Sequence, residues 1–248
     1  MQKTKFIMVV FVALMLIASN ALAFPTNTRP VTPQAGSETP LWQVFTNITT
    51  TGTSSYAADI TGTQSNAAIF ESEGSGGAIA TFIIAIAGNA TSNVTGLYKY
   101  GDPTFKVPVF SGVTATPTQA TISFYVDGSI AINYGTHIAG FGNEFGFYLS
   151  GPGGIFYTED SLNGGNPQAL VYQGNGVDQI GNFGFAPGTF SQDEWIFAWE
   201  DLPYGGADKD FNDLIYIVES IRPVPEPMTM LLLGLGLVGL AGARRFKK

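Results

Sequence analysis

Six oxygen-bearing side chains crowd one short stretch of this chain and could together bind a cation. They are Glu200, Asp201, Asp208, Asp210, Asn212 and Asp213. Five carboxylates this close repel one another when ionised, so they must either spread into water or gather around a positive charge. Oxygen ligands without a nearby histidine or cysteine suit calcium better than zinc or copper. The sequence therefore predicts a structural Ca²⁺ site with these six residues as ligands.

Two other interpretations of the acidic stretch stay open. Asp and Asn favour turns because their side chains hydrogen-bond to nearby backbone N–H groups, so the loop could be solvated and capped by itself. Carboxylates with shifted pKa values also occur in active sites, which leaves catalytic use as a third interpretation.

The spacing of the acidic residues does not fit an EF-hand. Asp208, Asp210 and Asn212 match its first three ligand positions, and Glu219 falls at the twelfth. However, the sixth position requires Gly and is Asp213 here. Residues 214–218 have extended-strand composition, which places Glu219 roughly 20 Å beyond the loop. A site between two strands, at the edge of a β-domain, fits better.

Two apolar runs enclose the acidic loop and must position it. Trp195–Trp199 and Leu214–Val218 have the length and the aromatic or β-branched content of buried strands. Successive strand residues point to opposite faces, so Asp213 shares a face with Ile215 and Asp201 shares one with Trp199. Both carboxylates are therefore predicted to lie near apolar groups, where they need a partner.

The loop resembles a known domain signature. The sequence E-D-L-P-Y-G-G-A-D-K-D-F-N-D at residues 200–213 is similar to the pattern E-D-L-x(n)-D-x-D-F-N-D. That pattern marks a bacterial extracellular domain of unknown function, and the resemblance covers about residues 141–219. It implies a β-domain and cation binding, and it implies no enzyme activity.

Turn-forming residues separate short apolar runs throughout the domain, as they do in an all-β protein. Residues 78–87 form the most apolar internal run, and Asp127-Gly128 separates two strand-like segments as in a hairpin. Leu41–Ile48 alternates like a strand, and no useful helical periodicity precedes the tail. Further strands are predicted at residues 144–149, 169–172 and 182–185. Regular turn signals favour a two-sheet sandwich or jelly roll.

The amino terminus predicts export. Met1–Ala23 has a positive start, an apolar middle and an A-x-A site, which indicates a signal peptide cleaved after Ala23. Residues 24–40 are rich in Pro and Thr and are predicted to be an extended, mobile linker. Residues 41–220 are then one domain, long enough for a sizeable core.

Residues 221–248 have three parts in a fixed order. Pro225-Glu226-Pro227 precedes an uncharged apolar stretch at 228–243, and a basic cluster closes the chain. This order resembles the PEP-CTERM sorting signal of exosortase substrates. The resemblance implies processing near Pro225–Pro227 by an exosortase, with residues 228–243 as a short transmembrane helix that holds the protein transiently in the inner membrane. The destination it implies is the cell surface or extracellular matrix of a Gram-negative bacterium. The alternative is a plain tail anchor in the inner membrane.

Charge and composition exclude several functions. Without the signal peptide and the tail, residues 24–225 keep 5 basic and 18 acidic residues, a net charge of −13, so nucleic acid is not an expected partner. The chain has no cysteine, and His137 is its one histidine. Thiol catalysis and metal sites with several histidines are therefore excluded. The function expected is a calcium-stabilised, exosortase-sorted surface or exopolysaccharide-matrix protein that is not an enzyme. The alternatives are a lectin-like carbohydrate-binding module and, behind it, a carbohydrate-active enzyme.

Overall fold

The fold is built almost entirely of antiparallel β-sheet. The structure, a computed structural model, describes residues 27–36, 38–52, 55–72, 77–84, 90–112, 118–181 and 186–224. The described residues up to 223 belong to one compact unit, Pro25–Pro223. Two six-stranded sheets and one small three-stranded sheet contain its strands. The predicted all-β sandwich is therefore confirmed.

The first large sheet, here the front sheet, carries the acidic loop. Its strands are β3 (Gly77–Ile84), β6 (Thr118–Phe124), β7 (Ile130–Ile132), β10 (Ala169–Gln173), β13 (Trp195–Trp199) and β14 (Leu214–Glu219). They are ordered β10-β13-β14-β3-β6-β7, with every neighbouring pair antiparallel. The strands β13 and β14 thus lie inside the sheet. Their alternate residues are buried in two different hydrophobic clusters, one on each face, and this is why both are continuous apolar runs.

The second large sheet, here the back sheet, packs against the front sheet. Its strands are β2 (Phe70–Ser72), β4 (Val94–Lys99), β5 (Asp102–Ser111), β8 (Glu144–Gly151), β9 (Gly154–Tyr157) and β15 (Ile221–Pro223). The order is β15-β2-β8-β4-β5, with β9 paired beside β8. The small sheet joins β1 (Thr49–Thr51), β11 (Gln179–Ile180) and β12 (Gly188–Thr189).

One hydrophobic cluster fills the space between the two large sheets. The back sheet contributes Phe145, Phe147 and Leu149, and the front sheet contributes Trp195, Phe197 and Trp199. These sets alternate along β8 and β13, as residues on one face of a strand must. The aromatic rings of Phe147 and Phe197 are 4.3 Å apart, so the sheets are joined by direct ring contact.

The other face of the front sheet is covered by a helix that the sequence did not predict. Leu41–Ile48 is α-helical (α1), with a single turn, α2 (Ser55–Ala58), behind it. The prediction that these residues form a strand is wrong. The buried positions Leu41, Val44, Phe45 and Ile48 follow the i, i+3, i+4, i+7 spacing of a helix face. They pack with Leu170, Ile196 and Ile215 in a second hydrophobic cluster.

Several strand predictions can be compared with the structure. The strands β8, β10, β13 and β14 confirm those placed at 144–149, 169–172, 195–199 and 214–218. The hairpin predicted at Asp127-Gly128 joins β6 to β7, with a positive φ of 76° at Gly128. The apolar run at 78–87 is a strand through Ile84. The strand predicted at 182–185, the signal peptide, the sorting motif and the helix at 228–243 lie outside the described residues.

The described parts at either end of the predicted domain belong to the fold as well. Residues 27–36 have no helix or strand, but they are fastened to the sandwich rather than free. Arg29 makes two hydrogen bonds to the carboxylate of Asp160, at 2.7 and 3.1 Å, and Asn27 donates to the carbonyl of Thr158 at 2.7 Å. At the other end, β15 runs to Pro223. Among the described residues no helix is long and apolar enough to cross a membrane.

Candidate metal site in the acidic loop

The acidic loop, residues 200–213, connects the two central strands β13 and β14. Trp199 and Leu214 are paired across the hairpin, so the loop starts and ends on neighbouring strands. The backbone N–H of Asp213 donates to the carbonyl of Trp199 at 3.2 Å, and that of Glu200 donates to Gln168 at 3.0 Å. The base of the loop is therefore held on both sides by backbone hydrogen bonds.

Three carboxylates converge within this loop. One oxygen each of Glu200, Asp208 and Asp210 lies within 4.8 Å of the others, which is the kind of group that can hold a metal ion. Glu200 and Asp210 are buried, at 1% and 0% exposure, whereas Asp208 is exposed. We call these three residues the carboxylate cluster.

The backbone of the loop is bent to bring these groups together. Lys209 and Phe211, which flank Asp210, both have positive φ, 66° and 57°. This left-handed conformation is uncommon outside glycine, and it persists only where the surroundings enforce it. The ring of Phe211 is buried in the second hydrophobic cluster, and the backbone N–H of Phe211 donates to Oε1 of Glu200 at 2.7 Å. Packing of Phe211 therefore helps to hold the strained turn.

Two buried oxygens at the cluster have no hydrogen-bond partner among the described residues. They are Oε2 of Glu200 and Oδ1 of Asn212. Both residues are almost fully buried, where an unpaired polar atom costs roughly 1–3 kcal/mol. The Nδ2 of Asn212 donates to Oδ2 of Asp210 at 2.7 Å, so this amide lies directly against the cluster. A cation would satisfy both oxygens.

Burial makes the charged state of these carboxylates unfavourable. Desolvation raises the pKa of Glu200 to about 7 and that of Asp210 to about 6, and the charge of Asp208 adds to both shifts. Desolvation also raises the pKa of Asp213 to about 8, helped by the charge of Asp201. The described residues form two ion pairs, Arg29–Asp160 and Arg222–Glu71, and neither includes one of these carboxylates. A bound cation would reverse these shifts.

The structure separates the six predicted ligands into two groups. Glu200, Asp208 and Asp210 form the cluster, with Asn212 beside it. Asp201 and Asp213 instead take part in a buried hydrogen-bond chain toward the back sheet. Oδ2 of Asp213 accepts from the N–H of Asp201 at 2.8 Å, and Oδ2 of Asp201 accepts from Nδ2 of Asn93 at 2.8 Å. Assignment of any of the six as a metal ligand stays a prediction.

The sequence missed a segment that lies against the cluster. Nδ2 of Asn212 donates to the carbonyl of Thr39 at 2.9 Å, and the N–H of Gln34 donates to the carbonyl of Lys209 at 2.8 Å. The charge of Glu38 is one of the causes that raise the pKa of Asp210. Nothing in a Pro- and Thr-rich stretch indicates this contact, because its partners are about 170 residues away.

A lectin-like module would need tyrosine rings on which a sugar could stack, and the tyrosines of the fold differ in exposure. Tyr98, Tyr148 and Tyr172 are buried in the fold and cannot present a ring face to a ligand. Those that are only partly buried are Tyr100, Tyr125, Tyr157 and Tyr204. Tyr125 stacks on His137, with ring centroids 4.0 Å apart.

The fold and the site define this class of protein: an all-β domain with an acidic, partly buried loop. Comparison with protein families gives two matches. Residues 140–220 match a domain of unknown function, DUF4114, and residues 223–245 match the PEP-CTERM protein-sorting motif. The first match runs from the start of the β8 region through β14 and includes the entire acidic loop. Searches of curated proteins and of solved structures give no match.

The two matched regions confirm the resemblances seen in the sequence. The chain carries a PEP-CTERM sorting motif behind a domain of unknown function. The motif supports recognition by an exosortase and export to the cell surface of a Gram-negative bacterium. The folded domain ends at Pro223, so the match to the sorting motif begins at the last residue of β15.

Proposed function

We propose that this exosortase-sorted surface protein uses calcium in its acidic loop to stabilise the β-sandwich. The observation that carries the proposal is the convergence of Glu200, Asp208 and Asp210 beside two buried oxygens that lack partners. Glu200, Asp208, Asp210 and Asn212 would hold the ion. The cation would neutralise repulsion between groups that sit at the junction of the two central strands.

Calcium fits this donor set better than other common cations. The donors are carboxylate and amide oxygens, which calcium accepts in an irregular shell of six to eight ligands. Magnesium demands a stricter octahedron and gives up its water reluctantly. Calcium sites of extracellular modules have dissociation constants of about 10⁻⁴–10⁻³ M, so a modest affinity is sufficient outside the cell.

The molecular role within this proposal is structural or matrix-associated, with exopolysaccharide as a candidate partner. It assigns the chain no catalytic activity. A lectin-like module is the second candidate, favoured by Tyr134, which is 80% exposed just beyond β7. Binding of the exported protein to a glycan array, lost in Tyr134→Ala, would favour the lectin-like candidate. Turnover of a polysaccharide would instead contradict the non-enzymatic assignment.

Isothermal titration calorimetry tests the calcium proposal. We expect the protein to bind calcium and Asp210→Asn to weaken binding at least tenfold, because Asp210 is a buried member of the cluster. Asp193→Asn is the matched control, since Asp193 lies before β13, at the far end of the hairpin from the acidic loop. Absence of calcium binding to the unaltered protein would refute the proposal.

A further inference from the structure

The carboxylate cluster is bordered by a part of the chain that belongs to no strand of the sandwich. Gly36 approaches the cluster so closely that a Cβ built on it would lie 2.7 Å from Oδ2 of Asp210 and 3.1 Å from Oδ2 of Asp208. Thr39 accepts a hydrogen bond from Asn212, as described above. Residues 34–36 and 38–39, here called the covering segment, therefore form a second wall of the site.

Glu38 brings a fourth carboxylate into this region. It is exposed, and its charge is one of the causes that raise the pKa of Asp210. Without a cation, Glu38 and the cluster carry like charges, which repel. Among the described residues Lys209 forms no ion pair with these carboxylates, and its Nζ lies 4.5 Å from the centre of the Tyr204 ring.

The covering segment is attached more weakly than the residues before it. Arg29 and Asn27 are fixed by buried or partly buried hydrogen bonds to Thr158, Asp160 and Ala169 rather than to the acidic loop. Among the described residues, hydrogen bonds from Gln34 and Asn212 hold the covering segment to the acidic loop. Two such bonds contribute about 1 kcal/mol each, which like-charge repulsion can offset.

We propose that the cation site is bipartite: the acidic loop forms one side and holds the carboxylate ligands, and the covering segment forms the other side. Cation binding then docks the covering segment onto the loop. This inference rests on the calcium site proposed above and adds to it a partner from the amino-terminal part of the chain. Gly36 is a positioning residue, since any side chain there would intrude between the segment and the cluster.

Calorimetry on the full-length exported protein in mild detergent, with calcium chloride as titrant, tests this proposal. Glu38→Gln should weaken calcium affinity several-fold, because it removes a negative charge that acts on Asp210. Gly36→Ala should also weaken it, by several-fold. Glu144→Gln and Gly188→Ala are the matched controls, since Glu144 lies at the start of β8 and a Cβ on Gly188 meets no atom within 4 Å. Both should bind like the unaltered protein.

Amide hydrogen exchange provides a readout independent of affinity. Calcium should slow exchange in residues 34–39 and leave residues 27–31 unchanged, because only the former depend on the cation. If the unaltered protein binds calcium but both variants bind equally well, or exchange at 34–39 does not respond, the bipartite site is refuted and the loop site stands. If the unaltered protein does not bind calcium, both proposals fail.

Discussion

The backbone N–H of Asp201 donates a hydrogen bond to Oδ2 of Asp213, at 2.8 Å, and so joins the two ends of the acidic loop. Both residues are buried, and the same chain of hydrogen bonds continues from Asp201 to Asn93 at the start of β4. These two carboxylates therefore link the front sheet to the back sheet. Their position indicates a structural contribution distinct from that of the carboxylate cluster.

Substitution of Asp213 should distinguish that structural contribution from metal binding. Asp213→Ala removes the carboxylate that accepts the hydrogen bond from the buried N–H of Asp201, so we expect a loss of about 1–3 kcal/mol in the free energy of unfolding. Asp213→Asn keeps an acceptor oxygen and should lose less. Urea unfolding in calcium-free buffer measures both. Equal destabilisation by Ala and Asn would show that the hydrogen bond is not what this position contributes.

Stability without calcium should fall as the pH rises from 5 to 8. The pKa values of Glu200, Asp210 and Asp213 are raised in the fold to about 7, 6 and 8, above their ordinary values of 4.5 and 3.8. Between those limits the folded state binds more protons than the unfolded state, so the free energy of unfolding decreases with pH. One such group accounts for about 1.4 kcal/mol per pH unit within its window.

Urea titrations at several pH values, in buffer stripped of calcium, check this dependence. Asp210→Asn should flatten the slope. Saturating calcium should remove the share of Glu200 and Asp210, because a bound cation keeps these carboxylates ionised, and should leave the share of Asp213. The pKa values of the exposed Asp59, Asp102 and Asp127 are lowered by hydrogen bonds, so these groups titrate below the window. A stability that rises steadily from pH 5 to 8 without calcium would contradict the buried-carboxylate account.

The anchor of the amino-terminal residues should be important for stability. The side chain of Arg29 is 2% exposed and pairs with Asp160. Arg29→Ala removes one partner of a buried pair, which typically costs about 3–5 kcal/mol. Arg222→Ala is the matched control, since its pair with Glu71 is at the surface, with 55% of the arginine side chain exposed, and should cost less than about 1 kcal/mol. Similar melting temperatures for both variants would contradict a docked amino terminus.

Sorting should depend on the tail and not on the domain. Replacing Pro225, Glu226 and Pro227 with alanine should leave export intact and retain the protein at the inner membrane, because the matched sorting motif includes these residues. Cell fractionation and mass spectrometry of the mature protein measure the outcome. Unchanged mass together with unchanged surface delivery would contradict the assignment.

The sequence predicted those parts of the fold that depend on local pattern. The strands β13 and β14 are recognisable because both faces are buried, and the β6–β7 hairpin because Asp127-Gly128 specifies its turn. Leu41–Ile48 was misassigned because its short apolar pattern also fits alternation, and Pro40 provides no side-chain cap to mark a helix. The separation of Asp201 and Asp213 from the cluster depends on Asn93, which only the tertiary fold brings near.

A thermal melt of residues 24–225 with calcium and with chelator tests the central claim most directly. At a hundredfold excess of calcium over the dissociation constant, binding to the folded state alone contributes about 2.7 kcal/mol. For a domain of this size that corresponds to a rise of roughly 5–10 °C in melting temperature. Magnesium should have a smaller effect. The same melting temperature in chelator and in calcium at a hundredfold excess over the dissociation constant would show that the acidic loop is a self-capped turn and that the carboxylate cluster holds no stabilising ion.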